Sequence, residues 1–240
     1  MLATPGPSGA PGTLAIAELA AQSKATHPGL PVHVAYQDDL ARVLAGLKAA
    51  DPSDQMPAAV VVPQTTGPQP DFDEALRQAV DAADARIVLA ERLGPHPLVA
   101  EALHVRLAEA ELARADRIRL LTMVTAADGI LVAIPGGEAA RQEAEITCVL
   151  LASRLAVPVV PVSLDDPPAA GEAARRLKAT GTTRLAIAPC FIGPEADPEQ
   201  LMAVAAEAGA QCSQPLGAHP VLVQLAALRY AEALEKVLTD

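Results

Sequence analysis

The chain has 240 residues, a formal net charge of −11 and 51% hydrophobic residues, but only 2% of its residues are aromatic and none is tryptophan. The acidic charge and the scarcity of stacking side chains argue against a nucleic-acid partner and against an anionic membrane surface. No apolar run reaches the roughly 18 residues of a membrane span, and no signal peptide opens the sequence. We therefore expect a soluble, cytoplasmic protein.

Short apolar runs alternate with helical segments along the first half of the chain. The predicted strands are residues 1–4, 32–36, 60–63 and 86–90. The predicted helices are residues 13–24, 39–49, 73–83 and 98–114. The first strand is short for a strand, which leaves open whether the natural start lies upstream.

The second half repeats this order. Its predicted strands are residues 128–134, 157–162 and 185–188. Its predicted helices are residues 138–155, 169–179 and 199–208, and a last helix opens at residues 216–220 and runs to about 238.

Three matched motifs indicate that the chain is an internal duplication. The strand that ends in Pro63 and continues to Gly67-Pro68 recurs 126 residues later as Pro189 with Gly193-Pro194. Ala3-Thr4-Pro5-Gly6 likewise matches Ala133-Ile134-Pro135-Gly136, and Leu-Gly-Pro-His-Pro at 93–97 matches Leu-Gly-Ala-His-Pro at 216–220. We predict two domains, residues 1–114 and 115–240.

Strands that alternate with helices predict right-handed βαβ units. The expected fold is α/β, with two tandem, duplicated Rossmann-like domains whose parallel sheets face a central cleft. Ligands of such sheets bind beyond the carboxyl ends of the strands, so the loops there are the candidate binding site. The candidate cleft residues are Pro5, Ser8, Gln64, Thr65, Thr66, Gln69, Gly136, Gly137, Glu138, Cys190, Phe191 and Glu195.

His96 and His219 are the candidate catalytic residues, and their pattern supports two interpretations. Each precedes a proline that suits the first position of a helix, which makes the histidine a capping residue that fixes a turn. Alternatively, both imidazoles face the cleft as metal ligands or proton carriers.

The remaining polar groups each have a structural interpretation beside a chemical one. Pro135-Gly136-Gly137 before Glu138 is either an anion site at a helix start or a tight strand-to-helix turn. Glu195 and Asp197 follow one Gly-Pro turn and Asp71 and Asp73 the other, and acidic residues in such positions typically begin helices. No catalytic triad or cluster of metal ligands is visible, so the metal ligands, if any exist, are unknown.

The three cysteines, Cys148, Cys190 and Cys212, predict neither a disulfide framework nor a zinc ribbon, because their number is odd and CxxC spacing is missing. Cys190 stands where a strand ends, and a lone buried cysteine most often serves as a small apolar residue.

The duplicated layout resembles the sirohydrochlorin cobaltochelatases and ferrochelatases of the class II chelatase superfamily. The resemblance spans nearly the whole chain and rests on the valine-rich strand ending in Pro63 and on the two Leu-Gly-x-His-Pro helix entries. It implies a chelatase-like fold and the insertion of Co²⁺ or Fe²⁺ into sirohydrochlorin, a step in the siroheme and cobalamin pathways.

This chain departs from the family pattern at both expected metal-handling histidines. Pro5 stands where the first is expected, and Gly67-Pro68-Gln69 replaces the element that carries the second. Chelation needs a base for the pyrrole protons and ligands for the metal, and proline supplies neither.

Two functions follow. The first is a chelatase that inserts Co²⁺ or Fe²⁺ as a substrate metal with replacement groups such as His96, His219 or Glu138. The second is a divergent, non-catalytic member that binds a tetrapyrrole or a partner protein. We expect no permanently bound cofactor, and a monomer or a weak homodimer.

Overall fold

The structure is a computed structural model that describes residues 1–47, 56–114 and 126–239. The predicted domain boundary between residues 114 and 115 borders the segment 115–125, and the predicted end of the second helix falls in 48–55; both lie outside the described residues. The boundary therefore stays a prediction.

Each sequence repeat folds as four strands alternating with four helices. The first contains β1 (Leu2–Thr4), α1 (Thr13–Thr26), β2 (Val34–Tyr36), α2 (Leu40–Ala45), β3 (Ala59–Pro63), α3 (Pro70–Asp81), β4 (Ile87–Leu89) and α4 (Pro97–Glu109). The second contains β5 (Gly129–Ile134), α5 (Glu138–Leu155), β6 (Val159–Ser163), α6 (Pro167–Ala179), β7 (Leu185–Pro189), α7 (Pro198–Ala208), β8 (Gln211–Cys212) and α8 (Pro220–Thr239).

The strands form two four-stranded parallel sheets with the same topology, β2-β1-β3-β4 and β6-β5-β7-β8. In both, the first strand of the repeat occupies a central position and pairs with the third. This arrangement confirms the predicted α/β fold with two duplicated parallel sheets.

Helix α4 and strand β8 differ from the sequence prediction for local reasons, and α3 begins at Pro70, three residues before its predicted start. Helix α4 ends at Glu109, five residues before the predicted end, because Glu111 adopts a left-handed φ of 59°. The N–H groups of Leu112 and Ala113 then both donate to the Leu107 carbonyl, which closes the helix. Strand β8 was not predicted, since two residues carry no alternation signal.

The contacts divide the chain into two compact units that do not follow the repeats. The first unit contains Met1–Leu93, Ile192–Glu195 and Ala218–Asp240, and the second contains Gly94–Phe191 and Ala196–Gly217. Helix α8 packs on α1, β3 and β4 of the first unit, whereas α4 packs on α5 and β7 of the second. The last helix of each repeat therefore completes the unit that is built mainly from the other repeat.

Alternate residues of the first sheet face different helix pairs. Ala3, Ala35 and Val61 form a buried core with α2 and α3, where Phe72 and Leu76 are among the largest contributors. The intervening positions face α1 and α8. Among the described residues, no helix has the length and apolarity to cross a membrane.

Candidate functional site at the strand ends of the first unit

Thr4 ends β1 and Gln64 directly follows β3, so the two residues lie side by side at the carboxyl ends of the central strands of the first sheet. The parallel register pairs Ala3 with Pro63, and the Gln64 N–H donates to the Ala3 carbonyl over 2.7 Å. The next pair in register is therefore Thr4 and Gln64, and both side chains are completely buried. Polar residues thus occupy the carboxyl ends of both strands, where parallel sheets bind ligands.

Three buried polar atoms at these strand ends have no hydrogen-bond partner within the described part of the chain: Thr4 Oγ1, Gln64 Oε1 and Thr65 Oγ1. The Gln64 Nε2 group donates to the Val62 carbonyl over 3.0 Å, which leaves the amide oxygen as the unsatisfied end. Unpaired buried polar groups are uncommon in proteins and call for a specific explanation.

The loop after β1 is held by the turn after β2. The Gly6 N–H donates to Gln37 Oε1 (3.1 Å), and the Gln37 N–H donates back to the Gly6 carbonyl (3.2 Å). Ser8 donates its N–H and its hydroxyl to the Asp38 carboxylate at 3.1–3.2 Å. Pro5 is buried between these anchored positions and the strand, so the backbone here is fixed by reciprocal hydrogen bonds.

The turn Ile192–Glu195 also belongs to this unit, and it packs against the same loop, since a Cβ on Gly6 would lie 2.6 Å from the Pro194 carbonyl oxygen. The Glu195 carboxylate accepts the N–H groups of Ile192 (2.5 Å) and Gly193 (2.8 Å), so it closes its own turn. Helix α7 begins later, at Pro198, with Asp197 as its cap; the prediction that Glu195 begins a helix was wrong. Burial raises the pKa of Glu195, and the two N–H groups oppose that rise.

The loop after β3 is more accessible. Thr66 and Gln69 are partly exposed, and a Cβ added to Gly67 would have no neighbour within 4 Å. The Gln69 N–H donates to the Asp73 carboxylate (3.2 Å), which also lies 3.4 Å from Arg92. Asp73 and Asp71 lie in the first turn of α3, as predicted from their charge.

Both candidate catalytic histidines occupy capping positions. His96 is the N-cap of α4, and its Nδ1 accepts the Leu98 N–H over 3.1 Å. The equivalent His219 Nδ1 accepts the Val221 N–H over 3.3 Å. An accepting Nδ1 places the proton of a neutral imidazole on Nε2. The capping interpretation therefore describes the geometry of both residues, and their catalytic role stays a prediction.

In the second unit, the Pro135-Gly136-Gly137 segment forms a tight turn. Gly136 has a φ of 91°, and its carbonyl accepts the Ser163 hydroxyl over 2.8 Å. Glu138 is exposed and pairs with Arg141 within the first turn of α5. Hydrogen bonds from Arg141, and then from Gln142, lower the pKa of Glu138 to about 2. Its binding role remains a prediction.

Cys190 and Phe191 lie in the interior of the second unit. Cys190 is 1% exposed, and its N–H donates to the Ala133 carbonyl over 2.7 Å. Phe191 packs in the core that α6 and α7 form with the second sheet. In this arrangement both side chains contribute to packing, and a ligand contact stays a prediction for each.

The structure thus brings together part of the predicted set. Pro5 and Ser8 lie in the loop after β1, Glu195 lies in the turn that packs against that loop, and Gln64 and Thr65 follow the adjacent strand β3. Sequence reasoning missed Thr4, Gln37 and Asp38. A polar residue at the end of a buried run was a usable signal for Thr4, because ligands of parallel sheets bind beyond the carboxyl ends of the strands. Within the described residues, no group of three or more His, Cys, Asp or Glu side chains could hold a metal ion.

Solved structures of two sirohydrochlorin chelatases and of a protein similar to chelatases share this architecture. SirB, the sirohydrochlorin chelatase of Bacillus subtilis subspecies spizizenii, solved with cobalt, gives a TM-score of 0.60 at 13% identity over 98% of this chain and 94% of its own. Bacillus subtilis SirB with Fe³⁺ gives 0.60 at 15% identity over 100% and 97%. DR2241 of Deinococcus radiodurans, a multi-domain protein similar to chelatases, gives 0.58 at 17% identity over 96% of this chain and 54% of its own.

No protein-family model and no curated protein matches the sequence. The chain has the chelatase fold, and the predicted resemblance is confirmed at that level. At identities of 13–17% the likeness establishes the fold alone.

Proposed function

We propose that this chain binds a sirohydrochlorin-like tetrapyrrole at the carboxyl ends of the strands of its first unit. The observation that carries the proposal is the set of buried hydrogen-bonding groups, Thr4, Gln64 and Thr65, at the position where parallel sheets bind their ligands. The near-complete structural match to SirB, a sirohydrochlorin chelatase, supports the choice of macrocycle.

Binding without metal insertion is the better supported form of this function. Pro5 and Gln69 stand where the resemblance places imidazoles, and neither can act as a base at neutral pH. His96 and His219 use their Nδ1 lone pairs as helix caps. A ring in that tautomer donates from Nε2, so it must give up its cap interaction before Nδ1 can accept a proton or bind a metal.

Insertion of Co²⁺ or Fe²⁺ as substrate is the second candidate function, and Glu195 favours it. Its carboxyl lies in the turn that packs against the loop after β1, and burial raises its pKa. A carboxylate with a raised pKa is a stronger base, which suits it to accept pyrrole protons as a metal enters the ring.

Titration with sirohydrochlorin, followed by absorbance spectroscopy, tests the binding proposal; the expected result is a saturable shift of the macrocycle absorbance. Adding Co²⁺ or Fe²⁺ to the complex then separates the two candidates. Insertion no faster than in protein-free solution supports binding alone. Faster insertion that is lost in Glu195→Gln supports the chelatase. If no tetrapyrrole binds, the proposal fails and a partner protein becomes the remaining ligand class.

A further inference from the structure

Thr4 and Gln64 project toward the same helices. Two residues earlier, Leu2 and Val62 line a cavity together with Ala20 of α1 and Val223 of α8. Side chains two residues apart on a strand share a face, so Thr4 and Gln64 also face the α1 and α8 side, at its carboxyl end. Their neighbouring register places them next to each other on that face.

The unpaired polar atoms of these two side chains are not needed to fill the space that the side chains occupy. Thr4 Oγ1 and Gln64 Oε1 are buried and have no partner among the described residues. The buried hydroxyl of Ser23, in the same unit, instead donates to the Leu19 carbonyl over 2.8 Å. Valine has nearly the shape of threonine, leucine is one methylene shorter than glutamine, and neither apolar residue carries such a desolvation cost. Stability alone therefore does not explain the two polar residues.

We propose that Thr4 and Gln64 form a polar subsite that binds a hydrogen-bond-donating group of the tetrapyrrole; this inference rests on the proposed function. The unsatisfied atom of Gln64 is a carbonyl oxygen, which only accepts, while the Thr4 hydroxyl can donate or accept. The matching ligand group must therefore carry an N–H or O–H. A metal-free macrocycle offers pyrrole N–H groups, and a protonated carboxyl side chain offers an O–H.

The loop after β3 is the more accessible of the two loops beside this subsite. Residues 66–69 are partly exposed, and the Cβ position of Gly67 has open space around it. The loop after β1, by contrast, is held by hydrogen bonds to Gln37 and Asp38. The backbone on the β1 side of the subsite is therefore fixed.

Thr4→Val and Gln64→Leu test the subsite through two measurements. Each substitution should raise the dissociation constant for sirohydrochlorin about tenfold, the effect of one lost hydrogen bond in a buried site. Thr4→Val should also keep or raise the urea midpoint of unfolding, because it removes an unpaired buried hydroxyl. Gln64→Leu should lower the midpoint, because it also removes the hydrogen bond from Nε2 to the Val62 carbonyl. Ser23→Ala is the matched control, and it should lower the midpoint and leave the affinity unchanged.

The ligand donor is identified by comparing sirohydrochlorin with its zinc complex, which keeps the carboxyl groups and lacks pyrrole N–H. If the variants lose affinity only for the metal-free ligand, the subsite binds pyrrole N–H. If they lose affinity equally for both ligands, the subsite binds a carboxyl group. Wild-type affinity in both variants overturns the subsite while the proposed function stands. If the wild-type protein binds neither ligand, the proposed function and the subsite both fall.

Discussion

Gly12 and Gly193 meet backbone to backbone, although they are 181 positions apart in the sequence. A Cβ on Gly12 would lie 2.6 Å from the Gly193 carbonyl carbon, and a Cβ on Gly193 would lie 2.5 Å from the Gly12 carbonyl oxygen. Gly67, the repeat equivalent of Gly193, has no neighbour within 4 Å of the same position. The two copies of the Gly-Pro turn therefore have different structural roles.

Gly12→Ala should destabilise the protein by about 2 kcal/mol or more, because it combines a left-handed φ of 87° with this close approach. The free energy of unfolding in urea measures the effect. Gly9→Ala is the matched control in the same loop, since its Cβ would meet nothing within 4 Å. Equal stability of the two variants would contradict the close packing.

His96→Ala should lower the free energy of unfolding by about 1 kcal/mol, the usual cost of losing a helix N-cap acceptor. His96→Asn should recover most of that loss, because asparagine also accepts from a backbone N–H at the N-cap. The same pair of variants separates capping from chemistry. If the asparagine variant has normal stability but no longer supports insertion of metal into the tetrapyrrole, the His96 imidazole has a chemical role.

The protein should lose stability as the pH falls from about 4 toward 2, because Asp128 becomes protonated over this range. Hydrogen bonds from the Thr183 hydroxyl and the Arg184 N–H lower the pKa of Asp128 from 3.8 to about 2. A carboxyl group whose pKa is lower in the folded state stabilises the protein at pH values above its unfolded-state pKa, and protonation removes this stabilisation. Thermal unfolding of wild type and Asp128→Asn should differ most above pH 4 and converge near pH 2.

Asp84→Asn provides the control for that series, because Asp84 is an exposed carboxylate of the first unit. Its melting temperature should follow the wild-type value across the same pH range. A gap between wild type and Asp128→Asn that stays constant with pH would show that the asparagine changes packing rather than charge.

The cysteines should react slowly with a thiol reagent in the native state. Cys148 and Cys190 are 3% and 1% exposed, and burial raises the pKa of Cys148. Burial also raises the pKa of Cys212 to about 11. Because the thiolate is the reactive form, we expect little reaction before unfolding and three equivalents after it. Rapid native labelling that disappears in Cys190→Ser would point to an accessible, reactive Cys190.

Local features were predictable from the sequence. Helix α5 matches its predicted range, Glu138–Leu155, because glycines precede it and a long run of good helix formers fills it. The strand-end loops were also located correctly, since Pro63 and Pro189 both end strands. Such signals lie within a few residues of the structure they produce.

Long-range relationships were not predictable in the same way. The pairing of Thr4 with Gln64 depends on strand register, and the Gly12–Gly193 contact depends on where a distant turn packs. The apolar face of α8 predicts that the helix covers a sheet, but not which of two similar sheets it covers. Duplicated sequences make this ambiguity worse, because each repeat offers an equivalent surface.

The placement of α8 sets the order in which the nascent chain can mature on the ribosome. The first unit includes α8, so its sheet lacks this cover until residues 220–239 have been synthesised. The second unit is complete once Gly217 has emerged. During synthesis from the N-terminus, all residues of the second unit are therefore made before the first unit is complete, and the first sheet lacks part of its apolar cover until the C-terminal helix has emerged.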